Sequence, residues 1–373
     1  MRKITGSQLI FVLLIITSVL ILILFYFEFQ LHKKVVKEEK IAQQQEQQIY
    51  SKIWKDIETI IDDSILNLPD GVRFVRKKVI FNNNQPTGDY LFLLKNEDTY
   101  KELKDFLKNQ IEKSQYEVKF KIEENKYIVR YKDKILFSLS SILNYVSSIN
   151  VIIDDCGYGT SLEKKFLELD NRIAFAVLPY LRASKRFAEE AKDKGFDVML
   201  HLPMESQAGN NPGPYAVLTN LSENEILLRL EKAFNNIGIE NICGVNNHMG
   251  SKATSDERTM RIVLSCLKNK GLFFIDSLTS NKSVGLQIAK KLGIPTAARD
   301  VFLDNTITEE YVRKQWNHLL NLSKKNGNAI AIGHCISLPT YTILKEELPL
   351  LKEKNIYLLR VTEKVGGYEF YGN

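Results

Sequence analysis

The stretch RIAFAVLPYLRASKRFAEEAKDKGFDVMLHLP, residues 172–203, decides the fold class. An apolar run comes first, an amphipathic stretch rich in Lys and Glu follows, and Gly195 stands before a second apolar run. Short apolar runs that alternate with helix-length amphipathic stretches are typical of βα units around a parallel sheet. A glycine is a common residue just after a helix. The stretch therefore predicts a strand, a helix and a second strand.

The same alternation continues over residues 148–373. The apolar runs that predict strands are NVIIDD (150–155), RIAFAVLP (172–179), FDVMLHLP (196–203), ICGVNNH (242–248), LFFID (272–276), TAARD (296–300), NAIAIGH (328–334) and IYLLRV (356–361). Between them, TSLE (160–163) and SENE (222–225) match the capping box that begins a helix. Eight strands and seven intervening helices predict a distorted α/β barrel of the (β/α) type. A doubly wound open sheet is the alternative.

The N-terminus has a different character. Residues 9–27, LIFVLLIITSVLILILFYF, carry no charge and are long enough to cross a bilayer as a helix. The following EFQLHKK contains no small-x-small cleavage site. We therefore predict an uncleaved transmembrane anchor over residues 1–30 and a single-pass protein of the inner membrane. Basic residues flank the run on both sides, so charge does not set its orientation.

Two segments separate this run from the predicted barrel. Residues 31–66 are rich in Gln and Lys with scattered apolar positions, which predicts a stalk helix. Residues 67–147 contain strand-like and helix-like stretches, which predict a small α+β domain. This segment has no histidine and no cysteine, so we assign it no chemistry.

The composition of the chain limits the classes of function that it could have. The chain is 44% hydrophobic and 26% charged, as in ordinary globular proteins. Its net charge of +6 is not gathered in one block. Proteins that bind nucleic acid usually carry a basic stripe, so we expect no nucleic-acid partner.

Polar side chains follow most of the predicted barrel strands. In a βα barrel the carboxyl ends of the strands form one rim, where active sites lie. Histidines and carboxylates there suit Zn²⁺ or a similar ion, and a second carboxylate and a further histidine could act as base and acid. A polar rim without a metal is the alternative. The candidate residues are Asp154, Asp155, His201, Glu205, Asn246, Asn247, His248, Asp276, Arg299, Asp300 and His334.

Seven segments taken together resemble the divergent polysaccharide deacetylase family over roughly residues 149–362. They are VIIDDCGYG, AVLPYLRASKRFAEEAKDKGFDVMLHLPME, NPGPYAVLTNLSENEI, GVNNHMGSKATSDERTM, GLFFIDSLTS, AARDVFLDN and AIAIGH. This family is related to the metal-dependent deacetylases of carbohydrate esterase family 4, whose distorted βα barrel removes acetyl groups from N-acetylated sugars. The resemblance implies a metal-dependent hydrolase, with zinc as the expected metal. It also implies an N-acetylated envelope glycan such as peptidoglycan as substrate, and a catalytic domain that faces the periplasm or the outside.

The resemblance also implies roles for single residues. Asp154 resembles the catalytic base, Asp155 and His201 resemble metal ligands, and His334 resembles the acid that protonates the leaving amine. The esterases have two histidines spaced H-x-x-x-H, whereas this chain has His201 and Glu205.

The segment NNHMG (246–250) stands in place of the arginine-containing loop of the esterases. We therefore expect His248 to be the third ligand, with Glu205 near the metal. Asn246 and Asn247 could orient His248 or bind an acyl oxygen. A catalytically inactive protein that binds glycan or acts as a scaffold is the alternative function.

Two cysteines lie next to these candidates. Cys156 follows the aspartate pair and Cys335 follows His334. We expect both to be small buried residues. A disulfide is the alternative, and it would need the two Cα atoms within about 7 Å.

Overall fold

The computed structural model describes residues 6–82, 85–123 and 126–365, and two sheets dominate them. Residues 1–5 of the predicted anchor and residues 366–373 of the predicted barrel domain lie outside the described residues. The first element is helix α1 (Gly6–Ile65), 60 residues long.

The predicted transmembrane anchor is wrong. Within the part of the chain that the structure describes, none of the helices is both long enough and apolar enough to cross a membrane. The apolar run 9–27 does not form a helix of its own, because α1 continues without a break into the Gln- and Lys-rich stretch. We also predicted a single-pass inner-membrane location, with the barrel facing the periplasm or the outside. That prediction depends on the anchor and is wrong for the same reason.

The end of α1 packs on a five-stranded mixed sheet. Trp54 stacks on Phe137 with ring centroids 5.8 Å apart. Ile57 and Ile61 of the same helix face are fully buried, so this part of α1 belongs to the hydrophobic core of the sheet. The elements are β1 (Val72–Asn82), β2 (Gln85–Leu94), α2 (Glu97–Ile111), β3 (Lys119–Glu123), β4 (Lys126–Tyr131) and β5 (Lys134–Leu143). The strand order in this sheet is β1-β2-β5-β4-β3.

The second sheet consists of parallel strands with helices between them. Its strands are β6 (Ser147–Cys156), β7 (Ala174–Val177), β8 (Asp197–Met204), β9 (Gly244–Met249), β10 (Phe273–Asp276), β11 (Thr296–Ala298), β12 (Val301–Phe302), β13 (Asn328–His334) and β14 (Ile356–Leu358). The helices are α3 (Ser161–Phe166), α4 (Ser184–Asp193), α5 (Glu223–Ile237), α6 (Glu257–Asn269), α7 (Gly285–Leu292), α8 (Glu309–Asn326), α9 (Leu338–Glu347) and α10 (Val361–Val365).

The strand order shows how this sheet curls. Neighbouring strands run β11-β10-β9-β8-β7-β6-β13-β12, and β14 also pairs with β6. This is the cyclic order of a barrel, with the pairing of β11 and β12 missing among the described strands. Only Arg299 and Asp300 separate these two edge strands along the chain. The α/β class is therefore confirmed as a curled parallel half-barrel, and the doubly wound alternative is excluded.

Local signals set the helix boundaries. Thr160 and Ser222 are N-caps whose side chains accept the backbone N–H of Glu163 and Glu225, so both predicted capping boxes form. Gly293 and Gly327 end α7 and α8 in the left-handed conformation, where a glycine has no Cβ penalty. These boundaries place the carboxyl ends of the strands on one rim.

Candidate active site

A β-bulge ends strand β6 and brings two aspartates together. The register against β7 shifts between Ile153 and Cys156, and Asp155 has a φ of 59°. Successive side chains of a regular strand point to opposite faces, but an extra residue re-aims them. Both carboxylates therefore reach one imidazole: Asp155 Oδ1 lies 3.2 Å and Asp154 Oδ2 lies 3.6 Å from His201 Nε2.

Three potential ligand atoms converge at this point. His201 on β8 and His248 on β9 come from neighbouring parallel strands. His248 Nδ1 lies 3.0 Å from Asp155 Oδ1 and 3.1 Å from His201 Nε2. Ligand atoms bound tetrahedrally at about 2.0–2.1 Å are separated by roughly 3.3 Å. Asp155 Oδ1 is also buried without a well-formed hydrogen bond. Among the described residues, Asp155, His201 and His248 form the group that could hold a metal ion, and we call these three residues the ligand cluster.

Asn246 selects the tautomer of His201. The amide of Asn246 donates from Nδ2 to Asp154 Oδ1 at 2.8 Å. Its Oδ1 therefore accepts from His201 Nδ1, at 2.7 Å. The lone pair of His201 then lies on Nε2, the atom that faces the ligand cluster, and such a partner on the far nitrogen is usual for metal-binding histidines. A carboxylate with two imidazoles is a donor set that fits a divalent metal such as zinc.

The two aspartates differ in their electrostatic surroundings. Burial disfavours the charged form of both. For Asp155, the adjacent imidazoles of His201 and His248 outweigh burial and hold its pKa well below the usual range. For Asp154, burial prevails over His201 and His334, and its pKa is raised. Asp155 is therefore suited to hold a cation, and Asp154 to accept a proton.

His334 lies beside this pair at the end of β13, in register with Asp154 on β6. Its Nδ1 is 2.7 Å from Asp304 Oδ1, and its backbone N–H donates to Asp304 Oδ2 at 2.8 Å. Burial alone would lower the pKa of His334, but the buried Asp304 carboxylate raises it to about 9. His334 therefore carries a proton at neutral pH.

Asp304 was not predicted from the sequence. It follows β12, which has only two residues, and so short a strand gives no recognisable apolar run. The sequence feature that could have identified Asp304 was its position within the segment AARDVFLDN.

Glu205 is not part of the ligand cluster. Its Oε2 accepts the backbone N–H and the hydroxyl of Thr219, both at 2.7 Å, and its Oε1 forms an ion pair with Lys252 at 2.7 Å. One carboxylate oxygen is therefore committed to the loop that follows β8, and the other to Lys252, which follows β9.

Asn247 and Asp276 shape the loops of the rim. The Oδ1 atom of Asn247 accepts the backbone N–H of Ser277 at 2.9 Å, which joins the ends of β9 and β10. The Oδ2 atom of Asp276 accepts the Ser283 hydroxyl at 2.6 Å, ahead of α7. These contacts are structural.

Arg299 and Asp300 lie between the two edge strands. The guanidinium of Arg299 lies 3.7 Å from the ring centroid of Phe302, which in turn stacks on His334 at 6.0 Å. Asp300 Oδ2 accepts the backbone N–H of Ile330 at 2.8 Å and so fixes β13 to this segment. Arg299 therefore contacts His334 through the ring of Phe302.

A disulfide joins Cys156 and Cys335, whose Cα atoms are 5.4 Å apart. Both cysteines are buried, as expected, but the alternative of a disulfide is the one that the structure shows. Because His334 and Asp154 are in register on adjacent strands, the residues that follow them emerge side by side. The disulfide therefore ties together the two strand ends that carry the aspartate pair and His334.

Comparison with known proteins agrees with this architecture. A family model described as divergent polysaccharide deacetylase matches residues 151–365. Uncharacterized protein YibQ of Escherichia coli is 34% identical over 199 residues, which cover 53% of this chain and 61% of that protein. An uncharacterized protein of Haemophilus influenzae is 32% identical over 206 residues, which cover 54% of this chain and 73% of that protein. The chain thus matches less than two thirds of the length of the E. coli relative.

A solved structure shares the fold. The crystal structure of an uncharacterized protein of Agrobacterium tumefaciens has a TM-score of 0.55 and 21% sequence identity, and the match covers 58% of this chain and 88% of that chain.

Proposed function

This chain belongs to the divergent polysaccharide deacetylase family, and from that premise we propose that residues 148–373 form a metal-dependent hydrolase that removes acetyl groups from an N-acetylated glycan. Peptidoglycan is the proposed class of substrate. The observation that carries the proposal is the convergence of Asp155, His201 and His248 within 4.8 Å. Asp154 and His334 flank that cluster on adjacent strands.

Asp155 Oδ1, His201 Nε2 and His248 Nδ1 are the proposed ligands of the metal, which we propose to be zinc. A divalent ion held there would supply Lewis acidity that polarises the acetamide carbonyl oxygen. The remaining chemistry belongs to side chains of this chain.

Asp154 is the proposed general base. Its raised pKa and its position 3.6 Å from His201 Nε2 suit a carboxylate that takes a proton from water. The water oxygen adds to the carbonyl carbon as its proton passes to Asp154. Asn246 holds the Asp154 carboxylate through its Nδ2 donor.

His334 is the proposed general acid. Asp304 binds Nδ1, so Nε2 is the nitrogen from which the proton leaves. That proton passes to the amide nitrogen as the C–N bond breaks, and the products are acetate and a free amine. A group with a pKa of about 9 is almost fully protonated at neutral pH, as this step requires.

Acetate release from oligomers of N-acetylglucosamine and from purified peptidoglycan tests the proposal. We expect turnover by the zinc-loaded chain and none after His201→Ala or His248→Ala. His318, an exposed histidine of α8, provides the matched control, and His318→Ala should keep full activity. Tight glycan binding without acetate release from the wild type would contradict the hydrolase and favour the inactive binding protein.

A further inference from the structure

The loop that follows the aspartate pair is held by one buried carboxylate. Glu163 accepts four successive backbone N–H groups: Gly157 at 3.0 Å, Tyr158 at 2.8 Å, Gly159 at 2.6 Å and Thr160 at 3.2 Å. Its residue surface is only 1% exposed. A carboxylate offers about four lone-pair positions, so these N–H groups use all of them.

A helix cap alone does not require this arrangement. Glu225 occupies the same position of the capping box at the start of α5, and among the described residues its carboxylate accepts from the backbone N–H and the hydroxyl of Ser222 only. Glu225 stands at the start of a helix of 15 residues, whereas Glu163 belongs to a helix of six. The larger number of bonds therefore serves the loop rather than the helix.

The loop begins two residues beyond the metal-ligand candidate Asp155. Asp155 has a φ of 59°, which is strained for a residue other than glycine and persists only where the surroundings hold it. Gly157 carries a φ of 121°, its N–H binds Glu163, and its carbonyl accepts the N–H of Ala183 at 2.9 Å. Glu163 and the disulfide at Cys156 are thus two of the anchors immediately after the bulge.

We infer that Glu163 is a positioning residue for the metal site: its carboxylate holds the loop 157–160 in the conformation that keeps Asp155 between His201 and His248. The inference rests on the proposed function, because it assumes that these three residues bind a metal. Groups that orient metal ligands typically contribute 10- to 100-fold to metal affinity.

Glu163→Gln tests this role. Glutamine has nearly the same size, but it presents one acceptor oxygen and an NH₂ group. Some of the four N–H groups therefore lose their acceptor. Competition between the full metal-free chain and a chromophoric chelator measures the affinity for Zn²⁺. We expect the affinity to fall roughly 10- to 100-fold. Glu225→Gln, the matched change in the other capping box, should leave it unchanged.

The melting temperature of each metal-free variant separates positioning from a purely structural role. A structural role would lower the melting temperature of Glu163→Gln and leave its Zn²⁺ affinity at the wild-type value, which would overturn the inference. If Glu163→Gln does not fold, Glu163→Asp, which keeps both oxygens on a side chain one methylene shorter, is measured by the same criterion. A wild-type chain that does not bind Zn²⁺ would overturn the proposed function and this inference with it.

Discussion

Replacing Asp304 with Asn should change the stability of the protein in a pH-dependent way. Asp304 Oδ1 lies 2.7 Å from His334 Nδ1, and the pair is largely buried. In the folded chain the pKa of His334 is raised from 6.5 to about 9, since the Asp304 carboxylate outweighs the opposing effect of burial. The Asp304→Asn change keeps the shape of the side chain and removes its charge.

The magnitude follows from linkage. A group whose pKa is raised on folding contributes stability that is fully present below its unfolded pKa and is lost as the pH rises through its folded pKa. For His334 that window runs from about 6.5 to about 9. At about 1.4 kcal/mol per pKa unit, the whole shift corresponds to roughly 3 kcal/mol of the free energy of unfolding. Asp304 contributes the largest favourable part of it, and the charges of Asp154 and Asp155 contribute the rest.

Urea denaturation of the metal-free chain at a series of pH values measures this contribution. The chain has two tryptophans, so a Trp54→Phe background leaves the fluorescence of Trp316 to report on the half-barrel. We expect Asp304→Asn to be less stable than its parent by up to about 3 kcal/mol at pH 6, with most of the difference gone at pH 10. Asp256→Asn, which alters an N-cap carboxylate bound to the Thr259 N–H, is the control and should show a constant difference. A difference for Asp304→Asn that does not vary between pH 6 and pH 10 would refute the reasoning.

Three further changes have expected outcomes. Asp154→Ala should abolish acetate release while zinc content, measured by elemental analysis, stays at the wild-type level; loss of zinc would mean that the two adjacent aspartates have exchanged roles. Reduction of the disulfide between Cys156 and Cys335, 179 residues apart, should lower the free energy of unfolding by up to about 5 kcal/mol by the chain-entropy estimate. Calorimetry with and without a phosphine reductant measures this, and an unchanged melting temperature with both thiols alkylated would contradict it. Gly244→Ala would place a Cβ 2.3 Å from the buried ring of Phe273, and overpacking of this kind costs about 1–3 kcal/mol; an unchanged urea midpoint would show that the ring can move.

The strands of the half-barrel could be predicted because they are buried on both faces. All four residues of β7 and of β10 are buried, and such strands appear in the sequence as continuous apolar runs between helices. Strand β12 was missed because two residues do not make a run. The open edge between β11 and β12 could not be predicted, since closure depends on pairing between strands rather than on any one segment.

The candidate site was only partly predictable for a related reason. The position of a residue at a strand end indicates which rim it lies on, so the approach of Asp155, His201 and His248 could be expected. The direction of a side chain depends on local backbone geometry and on its hydrogen-bond partners. Glu205 lies only four residues after His201, yet Thr219 and Lys252 hold its carboxylate away from the ligand cluster.

The disulfide could not be predicted from the sequence either. Cys156 and Cys335 are 179 residues apart in the sequence, and only the register between β6 and β13 brings them into bonding distance. The N-terminal prediction failed differently: none of the helices among the described residues is both long enough and apolar enough to cross a membrane.

Anomalous diffraction at the zinc edge from crystals of the zinc-loaded chain tests the central claim most directly. The account predicts one strong peak within about 2.0–2.2 Å of Asp155 Oδ1, His201 Nε2 and His248 Nδ1, three atoms that are 3.0 to 3.2 Å apart in the structure. A zinc peak bound elsewhere, with these three atoms left unliganded, would contradict it.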